Sequence, residues 1–323
     1  MSRTRTAALS LLAVPALVLA ACTSDPEPST GGGGGGGGSS ADTDSTTASA
    51  AAEDVEIPTQ EFNEELRAQL PEDIQESGTM VSVNTGSFPP YTIVEGDNQV
   101  SGATADFATA LEEMLDVTIE HTTIDGLASV LQGMDGGRYD LDIGPIGDFP
   151  ERQEQATFID YVQEYVVFAV PAGNPAGIED ISTTCGTRIA VQAAGSAERT
   201  IQEQSAACEE NGEEPVEVQS YKDQPSSILA VQSGRADAFF SSQAPLTYFV
   251  AQSDGELELT GTGEANGFDD LYQGAVVPKD SPTADVLLAA FEEMHANGTY
   301  DAIMTKWGLE GNTLDTPGLN LGQ

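Results

Sequence analysis

Apolar residues recur along the chain at two spacings that trade places. Phe62, Leu66 and Leu70 stand at helical intervals until Pro71 interrupts them, which predicts a short helix at the head of the folded part. Met80–Val83 then reads as a strand and Asp106–Leu115 as a helix with Phe107, Leu111 and Leu115 on one face. Val117–Thr122 follows as a strand, Ala128–Met134 as a helix and Leu141–Ile143 as a short buried strand. After Gly186 the alternation resumes, with strands at Arg188–Val191, Val216–Gln219 and Ala236–Phe240. Helices at Ala197–Glu209, Ser226–Gln232 and Pro245–Gln252 separate and follow them. A last strand, Gln273–Val277, precedes helices at Asp285–Ala296 and Tyr300–Trp307. Strand–helix alternation of this kind predicts an α/β protein with largely parallel sheets.

The start of the chain obeys a different pattern. Arg3 and Arg5 form a short basic region, and Ala7–Ala20 is an apolar stretch of signal-peptide length. A membrane-spanning helix needs about 20 such residues. The stretch ends in Leu19-Ala20-Ala21-Cys22, which resembles a bacterial lipobox, where Cys22 would receive a diacylglyceryl group. The alternative is an ordinary secretory signal with an incidental cysteine. Residues 23–54, with eight consecutive glycines (Gly31–Gly38) in a Ser/Thr/Ala/Asp background, bury too little apolar area to fold and read as a flexible tether. Residues 55–76 read as an N-terminal helical extension and 310–323 as a C-terminal tail. The expectation is an exported protein held by its lipid at the outer face of the cytoplasmic membrane.

Composition narrows the function. With 323 residues, 39% of them hydrophobic, the chain has room for about two domains of roughly 150 residues. No long apolar run follows the leader, which excludes a polytopic membrane protein. Against 11 Lys+Arg stand 53 Asp+Glu, a formal charge of -42 that repels phosphate backbones and excludes nucleic acid as a partner. Cys185 and Cys208 are expected to form a disulfide in an oxidising compartment, the spacing being wrong for a Cys-x-x-Cys redox or metal pair. There is no Gly-x-Ser-x-Gly elbow, Walker loop or His-Glu-x-x-His, and the only histidines are His121 and His295. No catalytic residue, metal or cofactor is therefore expected.

Several stretches, taken together and in order, resemble the extracellular solute-binding proteins of family 3, which serve polar amino-acid ABC importers. They are Phe88-Pro89-Pro90-Tyr91 with Gly102–Ala108; Gly137-Arg138-Tyr139-Asp140 through Pro150-Glu151-Arg152 to Phe158–Tyr161; Arg188–Gln192 with Gly195-Ser196; and Gly234–Ala238 with Asn297–Trp307. The resemblance covers roughly Pro71–Leu309. It implies a periplasmic-binding-protein fold of type II: two Rossmann-like lobes, 77–169 plus 274–309 and 173–273, joined by crossover strands near Phe168–Val170 and Gly274–Val276, with the ligand clamped between them.

It further implies that Arg152 holds a carboxylate of the ligand, which suits the paired donors of a guanidinium. Ser196, beside Gly195 at the start of a helix, would assist with its hydroxyl and free amides. Phe88 matches the aromatic that covers the ligand, and Asp237 matches a structural position. Three departures stand out. Gly144, Pro145 and Gly147 replace small hydroxyl residues, and Pro145 has no N–H to offer. Ser242 stands where an Asp usually holds the ammonium, and Thr85 where another acid often lies; Asp142 or Asp148, on the same loop, is the expected substitute. The implied protein is a monomer that delivers a small polar, carboxylate-bearing solute, an amino acid or analogue, to ABC permease subunits. The rival readings are a dehydratase-like cleft enzyme on the same fold and a sensory or adhesion lipoprotein.

Overall fold

The computed structural model describes residues 55–96 and 99–323; the expected signal peptide, Cys22 and the tether lie outside the described residues. Two short helices, α1 (Glu64–Arg67) and α2 (Glu72–Ser77), open the described chain and bury Leu66, Leu70 and Ile74 against the first lobe. Asn63 accepts from the Leu66 N–H at 3.1 Å and caps α1, so the helix begins after Phe62, which is 54% exposed rather than on its buried face.

The first lobe is then laid down as β1 (Thr79–Asn84), the short β2 (Ile93–Val94) and β3 (Val100–Ser101), α3 (Ala103–Leu115), β4 (Thr118–Thr123), α4 (Leu127–Asp135), β5 (Asp142–Gly147), α5 (Pro150–Gln153) and β6 (Ala156–Glu164). The second lobe follows as β7 (Val166–Pro171), β8 (Arg188–Gln192), α6 (Ser196–Glu210), β9 (Glu217–Tyr221), α7 (Gln224–Gln232), β10 (Ala238–Ser242), α8 (Gln243–Ala251) and β11 (Leu257–Thr260). The chain returns through β12 (Leu271–Pro278), α9 (Thr283–Asn297), α10 (Thr299–Lys306) and β13 (Thr313–Leu319).

The second lobe holds a five-stranded sheet in the order β11-β7-β10-β8-β9. The first holds β13-β6-β12-β5, flanked by the β1-β4 pair, whose Val83 N–H reaches Leu141 O at 2.9 Å. The pairs β1/β4, β8/β9 and β8/β10 are parallel as expected. The sheets as a whole are mixed rather than largely parallel, because β7 runs antiparallel to β10 and β11, β12 antiparallel to β5 and β6, and β13 antiparallel to β6.

Three placements differ from expectation. Only Tyr165 separates β6 in one sheet from β7 in the other, so the chain crosses at Glu164–Val166 and not at Phe168–Val170, which lie inside the second sheet. On the way back Leu271 pairs with Glu164, which puts the second crossing just before Leu271; Gly274 and Val276 are already paired within the first lobe. Residues 310–323 are not a tail: β13 pairs with β6, and the Leu321 and Gly322 N–H groups reach Asp160 Oδ2 and Asp148 Oδ2 at 2.9 and 2.7 Å.

Aromatic rings fix each core. In the first lobe Tyr161 stacks on Phe291 at 4.6 Å and meets Phe107 edge-on at 5.2 Å, and its hydroxyl donates to Ile143 O at 2.8 Å, so even the buried phenol is satisfied. In the second, Phe168 stacks on Phe240 at 4.5 Å. Cys185 and Cys208 form a disulfide that ties the segment before β8 to α6. Among the described residues no helix is long and apolar enough to cross a membrane.

Candidate ligand-binding site

The site is built where β5 ends. Gly144 adopts φ 93°, and a Cβ there would meet Gly274 O at 2.8 Å, so both the turn and the close approach of β12 require glycine. Its N–H donates to Asp142 Oδ1 at 2.9 Å, and its carbonyl accepts from Thr92 and Thr104 at 3.0 and 3.2 Å. The Asp142 carboxylate is thereby held in place while buried. That burial pushes its pKa up to about 7 despite the opposing Gly144 amide.

Five residues past Gly147, Arg152 projects from α5, a single turn that Pro150 opens. Its Nη1 donates to Gly147 O at 2.8 Å, and its Nη2 reaches Ala194 O of the second lobe at 3.4 Å. The guanidinium lies 5.0 Å from the Phe149 ring centroid. Burial pulls its pKa down to about 10, which leaves it cationic at neutral pH. None of the ion pairs among the described residues includes Arg152. A buried cation without a carboxylate is costly unless an anion arrives to complete it.

The second lobe faces it with the start of α6. Gly195 is the cap and Ser196 the first helical residue, so Ser196 does not cap the helix with its side chain; the first-turn amides remain without intrahelical partners. Ser242, at the start of α8, receives Gln273 Nε2 on its hydroxyl at 3.3 Å, linking the lobes across the returning strand. Gln224 is braced between Ser241 (3.0 Å) and Gln192 (2.8 Å). Nearer the surface, Arg199 on α6 pairs with Glu151 on α5 and lies 5.3 Å from the Phe149 ring centroid. That exposed pair spans the lobes but contributes little by itself.

All nine expected contact residues (Phe88, Asp142, Gly144, Pro145, Gly147, Arg152, Gly195, Ser196 and Ser242) line one cavity between the lobes. Phe88 stacks on Tyr91, ring centroids 5.8 Å apart. The cavity has a volume of about 100 Å³, several times what one water needs, so it suits a guest of several heavy atoms. Thr85 lines it too, as does Gln192 at the end of the Arg188–Gln192 segment, and so do Asn84, Gln224 and Gln273, whose place in the site carries no mark in the sequence. Asp148 does not: it is occupied by the Gly322 N–H and the Gln153 amide. Asp237 is structural, gripping the Arg188 side chain and N–H. Neither histidine reaches the cavity; His295 stacks on Tyr300 at 3.7 Å and His121 sits on β4.

Two lobes meeting over a cavity, joined by two chain crossings, have the type II periplasmic-binding-protein fold. Residues 80–310 match the bacterial extracellular solute-binding proteins, family 3, and the chain belongs to that family. It is 28% identical over 261 residues to the arginine-binding protein ArgT of Corynebacterium glutamicum, covering 79% of this chain and 83% of that one. It is 25% identical over 240 residues to the L-cystine-binding protein TcyJ of Escherichia coli K12, covering 72% of this chain and 84% of that one. Among solved structures, an ancestral arginine-binding protein bound to glutamine superposes with a TM-score of 0.63 at 24% identity, covering 72% of this chain and 99% of that chain, a likeness of fold.

Proposed function

We propose that this protein is the receptor of an ABC importer, anchored by a lipid on Cys22 at the outer face of the cytoplasmic membrane, which captures one amino-acid zwitterion between its lobes as a monomer and passes it unchanged to the permease. Arg152 and the first amides of α6 take the α-carboxylate, Asp142 takes the ammonium, and Phe88 covers the bound guest. The names of the relatives, arginine-binding and L-cystine-binding, support an amino-acid ligand.

The observation that carries this reading is the Arg152 guanidinium: buried, cationic, hydrogen-bonded to a carbonyl of each lobe and lacking a carboxylate partner. An anion that binds there completes the charge and holds the lobes together, so recognition and closure are one event. Micromolar affinity corresponds to about -8 kcal/mol, within reach of one bidentate charged contact plus burial of the guest.

Calorimetry on Arg152→Ala tests it. Truncating one partner of a buried charged contact loses roughly 2–5 kcal/mol, so affinity falls at least thirtyfold while the thermal melt without ligand stays cooperative. Unchanged affinity removes Arg152 from the site. Chromatography of the amino acid after prolonged incubation separates receptor from enzyme, since a receptor returns it unaltered.

A further inference from the structure

Phe149 stands directly before α5, and its backbone belongs to the first lobe. The neighbouring Asp148 N–H reaches Tyr272 O on β12 at 2.9 Å, and the Phe149 carbonyl accepts from the Arg152 and Gln153 N–H groups at 2.8 and 3.0 Å. Its ring, by contrast, sits among groups of the second lobe. It is half-buried against that lobe's hydrophobic cluster, with the Phe268 ring centroid 6.5 Å away. Phe268 in turn lies 6.4 Å from Phe240 on β10. The guanidinium of Arg199, on α6, stands over the Phe149 ring at 5.3 Å.

The same ring braces the ligand-facing residues of its own lobe. The Arg152 guanidinium lies over it at 5.0 Å, and a Cβ on Gly147 would meet its Cε2 at 2.8 Å. The ring thus occupies the space in which a side chain at Gly147 would stand, which accounts for glycine where the resemblance leads one to expect a small hydroxyl residue. Arg152 Nη1 also bonds to Gly147 O at 2.8 Å, so ring, glycine and guanidinium pack as one unit. A ring face attracts a guanidinium without neutralising it, which leaves the cation ready for a carboxylate.

We propose that Phe149 is a positioning residue that couples capture of the guest to closure: its ring docks on Phe268 and Arg199 as the lobes come together, and from that seat it holds Arg152 at the gap. The inference rests on the amino-acid reading above. Without the ring the closed form is less populated, and the apparent affinity falls by the same factor. The loss appears in the dissociation rate, because a guest held between closed lobes leaves only when they part.

Calorimetry and stopped-flow on the full chain test this, with whichever of L-arginine, L-cystine and L-glutamine binds the wild type most tightly as the probe. Phe149→Ala should weaken binding by about tenfold or more, chiefly through faster dissociation, with the association rate within about threefold. Phe149→Tyr keeps the ring and should bind within about threefold of wild type, whereas Phe149→Leu keeps apolar bulk without the ring face and should fall between. In a cycle with Phe268→Ala, the double variant should bind about as well as Phe149→Ala alone, since the two rings act as a pair across the lobes. A residue that only stabilised the first lobe would lower Tm and give additive losses. Phe149→Ala affinity within about threefold of wild type, or additive losses in the cycle, overturns the inference and leaves the amino-acid reading standing. Absence of binding of all three probes to the wild type at millimolar concentration overturns both. Should Phe149→Ala fail to fold, Phe149→Leu carries the same comparison, and wild-type affinity and dissociation rate in that variant overturn the inference.

Discussion

At the residue scale, Asp142 and Arg152 show how one strand end prepares for a charged guest. Asp142 lies on a fully buried strand, where a carboxylate is tolerated because the Gly144 turn hands it a backbone N–H. With its pKa lifted to about 7, Asp142 is partly protonated in the free protein near neutral pH. If it receives the ammonium as a carboxylate, a proton must leave on binding. Affinity should therefore weaken as pH falls through 7, by about tenfold per pH unit well below it. Calorimetry at pH 8, 7 and 6 checks this. Asp142→Asn should bind weakly and without that pH slope, whereas a wild-type affinity that is flat from pH 8 to 6 would show that Asp142 does not receive the ammonium.

At the scale of elements, the helices and parallel strands were legible because their apolar spacing is regular and one face of each is buried. The Phe107, Leu111 and Leu115 face of α3 is fully buried, as the spacing predicts. What the sequence hides are strands without alternation. β6 and β7 are buried on both faces, so the run Phe168–Val170 looks alike whether it crosses between lobes or lies within a sheet. β13 conceals itself in the opposite way: Pro317 is its one fully buried residue, so nothing marks it as part of a core. The site was half legible. Residues in recognisable segments line the cavity, whereas Asn84 and Gln273 reach it through a strand pairing that only the fold reveals.

The disulfide belongs to the same scale. It joins residues 23 apart in the second lobe, where closing such a loop stabilises by about 3 kcal/mol in the chain-entropy account. The double variant Cys185→Ser/Cys208→Ser should lower the urea midpoint by a corresponding amount while still binding ligand when folded. An unchanged midpoint would mean that the tertiary contacts of α6 already fix that segment.

At the scale of the whole molecule, three buried carboxyls lie above their ordinary range. Asp142 and Glu164 are each pushed to about 7 by burial, and Asp160 is raised by burial and by its neighbour Asp148. The unfolded chain releases these protons near pH 4, whereas the folded chain keeps them several units longer. Over that window the native state binds more protons, so stability falls as pH rises. The formal charge of -42 acts in the same direction through self-repulsion. Thermal melts should give a higher Tm at pH 5 than at pH 8. Glu164→Gln, which keeps an acceptor for the Tyr91 hydroxyl, should reduce that difference. A Tm that rises from pH 5 to 8 would contradict the assignment.

The interleaving of the lobes sets an order of assembly. The five strands of the second lobe are contiguous from Val166 to Thr260, so that half has its whole sheet once the polypeptide has emerged that far from the ribosome or translocon, and its core closes with Phe268 and Leu271 shortly after. Its companion, although begun earlier, must wait for β12, and its outer edge for β13 near the very end. The pocket wall that Gln273 supplies therefore arrives late, and a prematurely terminated product would possess one finished half and no receptor.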